Sequence, residues 1–210
     1  MTSLARSERT ALCNLLERVG PDAPTLCAPW TTRDLAAHLV VRESRPDAAA
    51  GIVVGALAGW TRRVQDAEAG RDWATLVAKI RSGPPRWSPV RIGTVDDAVN
   101  TVEFFVHHED VRRAISGWEP RDLSDDDRRQ LWSVVRQRAR LHFRRAPVGV
   151  ILQTPDGRRL DMSARGRPVT LVGDPGELTL YMNGRTTHAR VTVTGDAVAV
   201  SAFEGTDLSV

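Results

Sequence analysis

The chain has 210 residues and a mass of 23.1 kDa, enough for one generous domain or two small ones with real apolar cores. With 41% hydrophobic and 26% charged residues the composition is that of an ordinary globular protein and excludes a disordered chain. Twenty-nine basic residues are nearly balanced by 26 acidic ones, so the formal charge is only +3 despite a pI near 9.5, and no nucleic-acid partner is expected.

The first ten residues, MTSLARSERT, reach no apolar segment before Arg6, Glu8 and Arg9, so no secretory signal is expected. Apolar residues then recur at spacings of three and four, the period of a helix with one buried face. Leu4, Leu12, Leu15 and Leu16 mark a first helix, and Leu35, His38 and Leu39 a second. Residues 46–80 predict a further helix or two with a break at Gly70. The longest uncharged run, 48–60, falls within that region and is interrupted by glycines; it is shorter than the roughly 20 apolar residues of a membrane span, so no membrane association is expected. The prolines of GPPRWSPV, residues 83–90, predict a loop. Val99, Val102, Val106 and Ala114 mark a helix over about 96–116, and Leu131, Val134, Val135 and Leu141 the next. Thr31 with Asp34, Thr94 with Asp97, and Ser124 with Asp127 each have capping-box spacing, with an acid where it favours a helix N-terminus. Arg136, Arg138, Arg140, Arg144 and Arg145 cover several sides of a helix rather than one stripe and read as a solvated face.

After Pro147 the period changes. A strand over 148–154, a hairpin turn at Asp156-Gly157, and a returning strand over 158–163 are predicted. A strand over 168–172 follows. Asp174-Pro175-Gly176-Glu177 then opens a short helix through Met182, closed near Gly184. A strand over 189–194 and a helix over 196–203 complete the chain. The expected class is α+β: a helical N-terminal bundle over 1–146 and a small α+β domain over 147–210.

The segment EFFVHHEDVRRA, residues 103–114, places two histidines and three carboxylates among large apolar side chains. On a helix Glu103 and His107 share one face, with Val99, Asp110 and Ala114 near the same stripe, while His108 points about 100° away and is expected at the rim with Glu109. An acid and an imidazole one turn apart suit either an exposed ion pair or two metal ligands. WTTRDLAAHLV, residues 30–40, adds His38 on an otherwise apolar face. Asp34, one turn earlier, is the expected hydrogen-bond neighbour of His38, whether that ring is a core residue or a ligand held in one tautomer.

Taken together, WTTRDLAAHL (30–39) and the Glu103–His107 helix resemble the DinB-like metal-binding bundle of the mycothiol-dependent maleylpyruvate isomerase family. The C-terminal GDPGELTLYMNGR, residues 173–185, is similar to that family's helix ending in Gly-Arg. The resemblance implies an up-and-down four-helix bundle in which His38, Glu103 and His107 hold a divalent metal, zinc above others, with open positions for water or substrate. It implies mycothiol as a thiol cosubstrate, a small electrophile as substrate, and Arg185 as the residue that binds the substrate's carboxylate or the thiol cofactor. Arg185 also reads as a cation capping a helix C-terminus. The donor set, two nitrogens and a carboxylate, equally suits nickel, iron or manganese.

Cys13 on an apolar face is expected in the core, and Cys27 is expected as a buried structural thiol that could approach the metal. The two cysteines form no paired motif, and a cytoplasmic location would leave them as thiols. His142 and His188 lack a partner motif, and the six tryptophans are scattered through the helical region, which is a packing pattern. Two functions remain: a metal-dependent thiol transferase or isomerase, and a non-catalytic metal- or small-ligand-binding sensor. Three filled ligand positions favour the first.

Overall fold

The structure, a computed structural model, describes residues 3–45, 47–48, 58–84, 94–162 and 166–206, and the side chains of 94–98 are not among the described groups. The chain forms two compact units, Met1–Glu119 and Pro120–Val210. Among the described residues there are eight α-helices and one four-stranded sheet, a mixed α+β protein as the periodicities imply.

The first unit holds α1 (Leu4–Val19), α2 (Thr32–Ser44), α3 (Ala58–Ala69), α4 (Trp73–Ser82) and α5 (Thr94–Arg112). α1 packs along α5, α2 against α3, and α4 against both α1 and α2. Leu12 and Leu16 of α1, Leu35 and Leu39 of α2, Leu76 and Ile80 of α4 and Phe104 of α5 meet in one buried cluster. This is the apolar stripe that three- and four-residue spacing produces. The break at Gly70 is present as a turn, and Asp72 starts α4 by accepting the backbone N–H of Thr75 at 3.0 Å. α5 starts earlier than expected and stops at Arg112 rather than 116. The side chains of the Thr94–Asp97 pair and residues 85–90 of the expected loop lie outside the described residues.

The second unit begins with α6 (Asp125–His142), opened by Ser124, whose Oγ accepts the Asp127 N–H at 3.2 Å. β1 (Val150–Gln153), β2 (Arg159–Asp161), β3 (Val169–Val172) and β4 (Thr192–Gly195) form a sheet in the order β2-β1-β3-β4, with α7 (Pro175–Met182) between β3 and β4 and α8 (Ala197–Glu204) at the end. β2 returns antiparallel along one edge, with Leu152 opposite Leu160, so β3 can run parallel to β1 without a helical crossover. Asp156-Gly157 makes the turn, and Gly157 adopts φ 89°, a conformation open to glycine. The strands are shorter than predicted, and the last begins at Thr192, with residues 189–191 lying between it and the 3-10 turn Thr186–His188.

Sequence analysis assigned the helix before Pro147 to the N-terminal bundle, but α6 belongs to the second unit. Trp132, Val135 and Ala139 bury their side chains with Val150, Leu152, Val169 and Leu171 of the sheet and with Leu178 and Phe203 of α7 and α8. A helical period says that a face is buried; it does not say against what. Leu171→Ala empties a wholly buried position and is expected to cost about 2–5 kcal/mol in urea unfolding. Val198→Ala, at a position 78% exposed, is expected to change stability by less than about 0.5 kcal/mol.

Candidate metal centre

The start of α2 is fixed by Asp34, whose Oδ2 accepts both the backbone N–H and the hydroxyl of Thr31 at 2.9 Å. That capping role occupies the carboxylate expected beside His38. The partner of His38 is Glu103 on α5: Nε2 donates to Oε1 at 3.2 Å. His107, one turn along α5, brings its own Nε2 to 3.3 Å from the same oxygen. The imidazole centroids are 5.4 Å apart with planes at 72°, and Trp30 lies 5.1 Å from His38 on its other side. One donor atom from each of His38, Glu103 and His107 lies within 4.8 Å of the others. The side chains of His38 and Glu103 are 10% and 22% exposed, so the cluster is shielded but reachable.

Two further partners were not anticipated. Arg42, one turn after His38 on α2, places Nε 3.4 Å from Glu103 Oε1 and donates through a terminal nitrogen to Asn100 Oδ1 at 2.8 Å. His107 donates from Nδ1 to Asp110 Oδ2 at 2.9 Å, and Cys27 Sγ lies 3.1 Å from that oxygen. The i, i+4 spacing of Arg42 and the i, i+3 spacing of Asp110 were both visible in the sequence. The approach of Cys27, which sequence analysis allowed beside the reading of a structural thiol, depends on how the 20–31 loop returns: Leu26 N–H donates to the Asp110 carbonyl at 3.0 Å.

Both ring nitrogens of His107 thus face carboxylate oxygens, which favours the doubly protonated ring. Burial pushes its pKa down, but hydrogen bonds to Asp110, Cys27 and Glu103 outweigh burial and hold it well above the ordinary histidine value. Burial likewise pushes Glu103 up, and it is outweighed by hydrogen bonds from His107 and His38 and by the charges of His107 and Arg42, so the carboxyl lies well below its usual range. The linkage follows in sign. The raised His107 value stabilises the fold at pH below the ordinary histidine pKa, and this is lost as pH rises through the raised value. The lowered Glu103 value stabilises above the ordinary carboxyl range, and this is lost as pH falls through the lowered value.

Other sequence candidates separate from this cluster. His108 and Glu109 are buried rather than at the rim: His108 Nδ1 pairs with Glu8 of α1 at 2.8 Å, and Glu109 with Arg112 at 2.9 Å and Arg113 at 2.5 Å. Cys13 is wholly buried and its thiol is pushed up to about 11 by burial, as a core thiol should be. Arg185, in the second unit, follows Gly184 at the end of α7 and donates to the Asn183 carbonyl at 2.5 Å. His142 packs edge-on against Phe143, and the His188 ring hydrogen-bonds with Thr187.

Two imidazole nitrogens and one carboxylate oxygen, converging from two helices, fit a divalent cation with coordination positions left over for water or a ligand. No protein-family model and no curated protein matches the chain. Among solved structures it is similar to the crystal structure of the mycothiol-dependent maleylpyruvate isomerase, with TM-score 0.59, 15% identity, and 91% of this chain and 90% of that one covered. It is also similar to a histidine-to-alanine mutant of that isomerase, with TM-score 0.60, 14% identity and the same coverage. At this identity the likeness establishes a common fold across most of both chains.

Asp110→Asn removes the charge facing Nδ1 while keeping an acceptor. In metal-free protein it is expected to lower the His107 pKa, read as an imidazole titration by NMR, with His108 shifting little.

Proposed function

We propose that the chain is a metal-dependent thiol transferase or isomerase of the mycothiol-using kind, its first unit built on a DinB-like four-helix bundle. The observation that carries this reading is the convergence of His38, Glu103 and His107 with no fourth protein donor in the group among the described residues. A structural zinc site is usually closed by four protein ligands, whereas an open position suits chemistry. The fold shared with a mycothiol-dependent isomerase supports the thiol and the reaction class.

His38, Glu103 and His107 would hold the cation, with zinc the first choice. Bound there, a divalent cation lowers the pKa of a coordinated thiol and supplies a thiolate at neutral pH. The remaining work belongs to the chain. Asp110 grips Nδ1 of His107 and thereby aims Nε2 at Glu103. Arg42 offsets the Glu103 charge, and Trp30 packs against the His38 ring. Arg185 would bind the carboxylate of the electrophile or the thiol cosubstrate. The thiolate of the cosubstrate then adds to the small electrophile, and elimination gives an isomer, or its absence a stable conjugate.

Protein purified without added metal or affinity tag is expected to retain one divalent ion per chain and to bind mycothiol saturably. Metal without thiol binding would favour a sensor instead. His38→Ala and His107→Ala are expected to abolish stoichiometric metal. His108→Ala should keep it; equal metal content in all three variants would overturn the site. Arg185→Ala is expected to weaken binding of the anionic ligand with metal content unchanged, measured by calorimetric titration.

A further inference from the structure

His107 has a second polar edge that the reaction above uses only for support. Its Nδ1 and the Cys27 sulfur are both directed at Asp110 Oδ2, at 2.9 and 3.1 Å. One sulfur, one nitrogen and one oxygen donor here lie within 4.8 Å of one another. Ligands of a tetrahedral cation are separated by roughly 3.3–3.8 Å when the bonds are about 2.0–2.3 Å long, so the ring nitrogen and the sulfur, at 2.9 and 3.1 Å from Oδ2, need draw back only slightly from that oxygen to admit one. Asp110 is wholly buried and His107 nearly so, while Cys27 keeps partial exposure, which gives the cluster a solvent side.

Charge bears on the same point. The cluster holds two protons, one on Sγ and one on Nδ1, both hydrogen-bonded to Asp110. A divalent cation that displaces these two protons leaves the formal charge unchanged, which is what a buried carboxylate requires of any change around it. The donor types also differ from those of the first cluster: two nitrogens and an oxygen suit borderline cations, whereas a thiolate selects soft ones.

We propose that Cys27, His107 and Asp110 form a second cation seat, for thiophilic divalent cations, on the opposite edge of the imidazole that serves the His38–Glu103 seat. On binding, Sγ and Nδ1 release their protons to solvent, and sulfur, nitrogen and the carboxylate oxygen each bond to the cation; no electrons are exchanged. The seat does not depend on the thiol-transferase reading, since His38 and Glu103 belong to one edge of the ring and Cys27 and Asp110 to the other.

Cadmium ion is the probe, because a cadmium thiolate has an ultraviolet charge-transfer absorption that nitrogen and oxygen ligands do not give. Wild type, His38→Ala and Cys27→Ser are titrated to saturation, with circular dichroism reporting the fold. The absorption is expected to reach one thiolate per chain in wild type and in His38→Ala and to vanish in Cys27→Ser. Cys13, buried in the core of all three, is the internal control. Loss of zinc retention in His38→Ala with the thiolate band intact separates the two seats. No band in saturated wild type, a band lost in His38→Ala, or a band unchanged in Cys27→Ser would overturn the second seat, whatever the outcome for the first.

Discussion

One oxygen atom, Oε1 of Glu103, organises the interior of the first unit. His38 and His107 both direct Nε2 at it, and Arg42 stands within ion-pairing distance of the same atom. A carboxylate in such a position is tolerated only when its charge is matched and its lone pairs are used. Here the matching groups come from two helices, so the electrostatic requirement of one side chain sets the register of α2 against α5. The same arrangement, two imidazoles and one carboxylate oxygen converging, is the donor set that the proposed divalent cation would use.

α5 repeats this logic along its length. His107, His108, Glu109 and Asp110 are consecutive and all buried, so they look in four directions at once. His108 reaches Glu8 on α1, Glu109 takes Arg112 and Arg113, and Asp110 takes His107 and the Cys27 loop. Arg9 of α1 closes a further ion pair with Glu43 of α2 and donates to the Ile80 carbonyl of α4 at 2.8 Å. Each pair adds little net stability against an apolar replacement, and each would cost several kcal/mol if one partner were lost, about 3–5 kcal/mol for a buried pair. Such a polar interior restricts how the helices can slide, because any shift by a turn strands several charges together.

The sequence made the helices, the hairpin and the shared face of Glu103 and His107 legible, because these rest on local spacing; joining His38 to them came from the family resemblance. Glu103 and His107 are one turn apart, Asp156-Gly157 is a turn by its own chemistry, and Asp174 accepts the Gly176 N–H exactly where Pro175 opens α7. What was not legible depends on which partner arrives from far along the chain. Asp34 has the right spacing to serve His38 and also to cap its own helix, and the cap prevailed because the Thr31 groups are covalently close. His108 looked like a rim residue because its partner is not local: Glu8 lies a hundred positions away. Glu109 does have local partners in Arg112 and Arg113, but nothing in their spacing says that the cluster is buried. The allegiance of α6 failed for the same reason, since its apolar stripe fits a sheet as well as a bundle.

A shared imidazole ties the chemistry of its two edges together. With Nδ1–H held by Asp110, the ring is more electron-rich at Nε2, so the carboxylate behind His107 raises the basicity of the nitrogen that faces Glu103. Cys27 competes for the same Oδ2, and its S–H bond draws charge away from that carboxylate. A sulfur outside the His38–Glu103–His107 group therefore tunes it. Deprotonating or coordinating Cys27 leaves Asp110 with a different partner, and the change is felt across the ring at the nitrogen that faces Glu103. The 20–31 loop, fastened to α5 through Leu26, is thus part of the centre although it contributes none of the three converging donors.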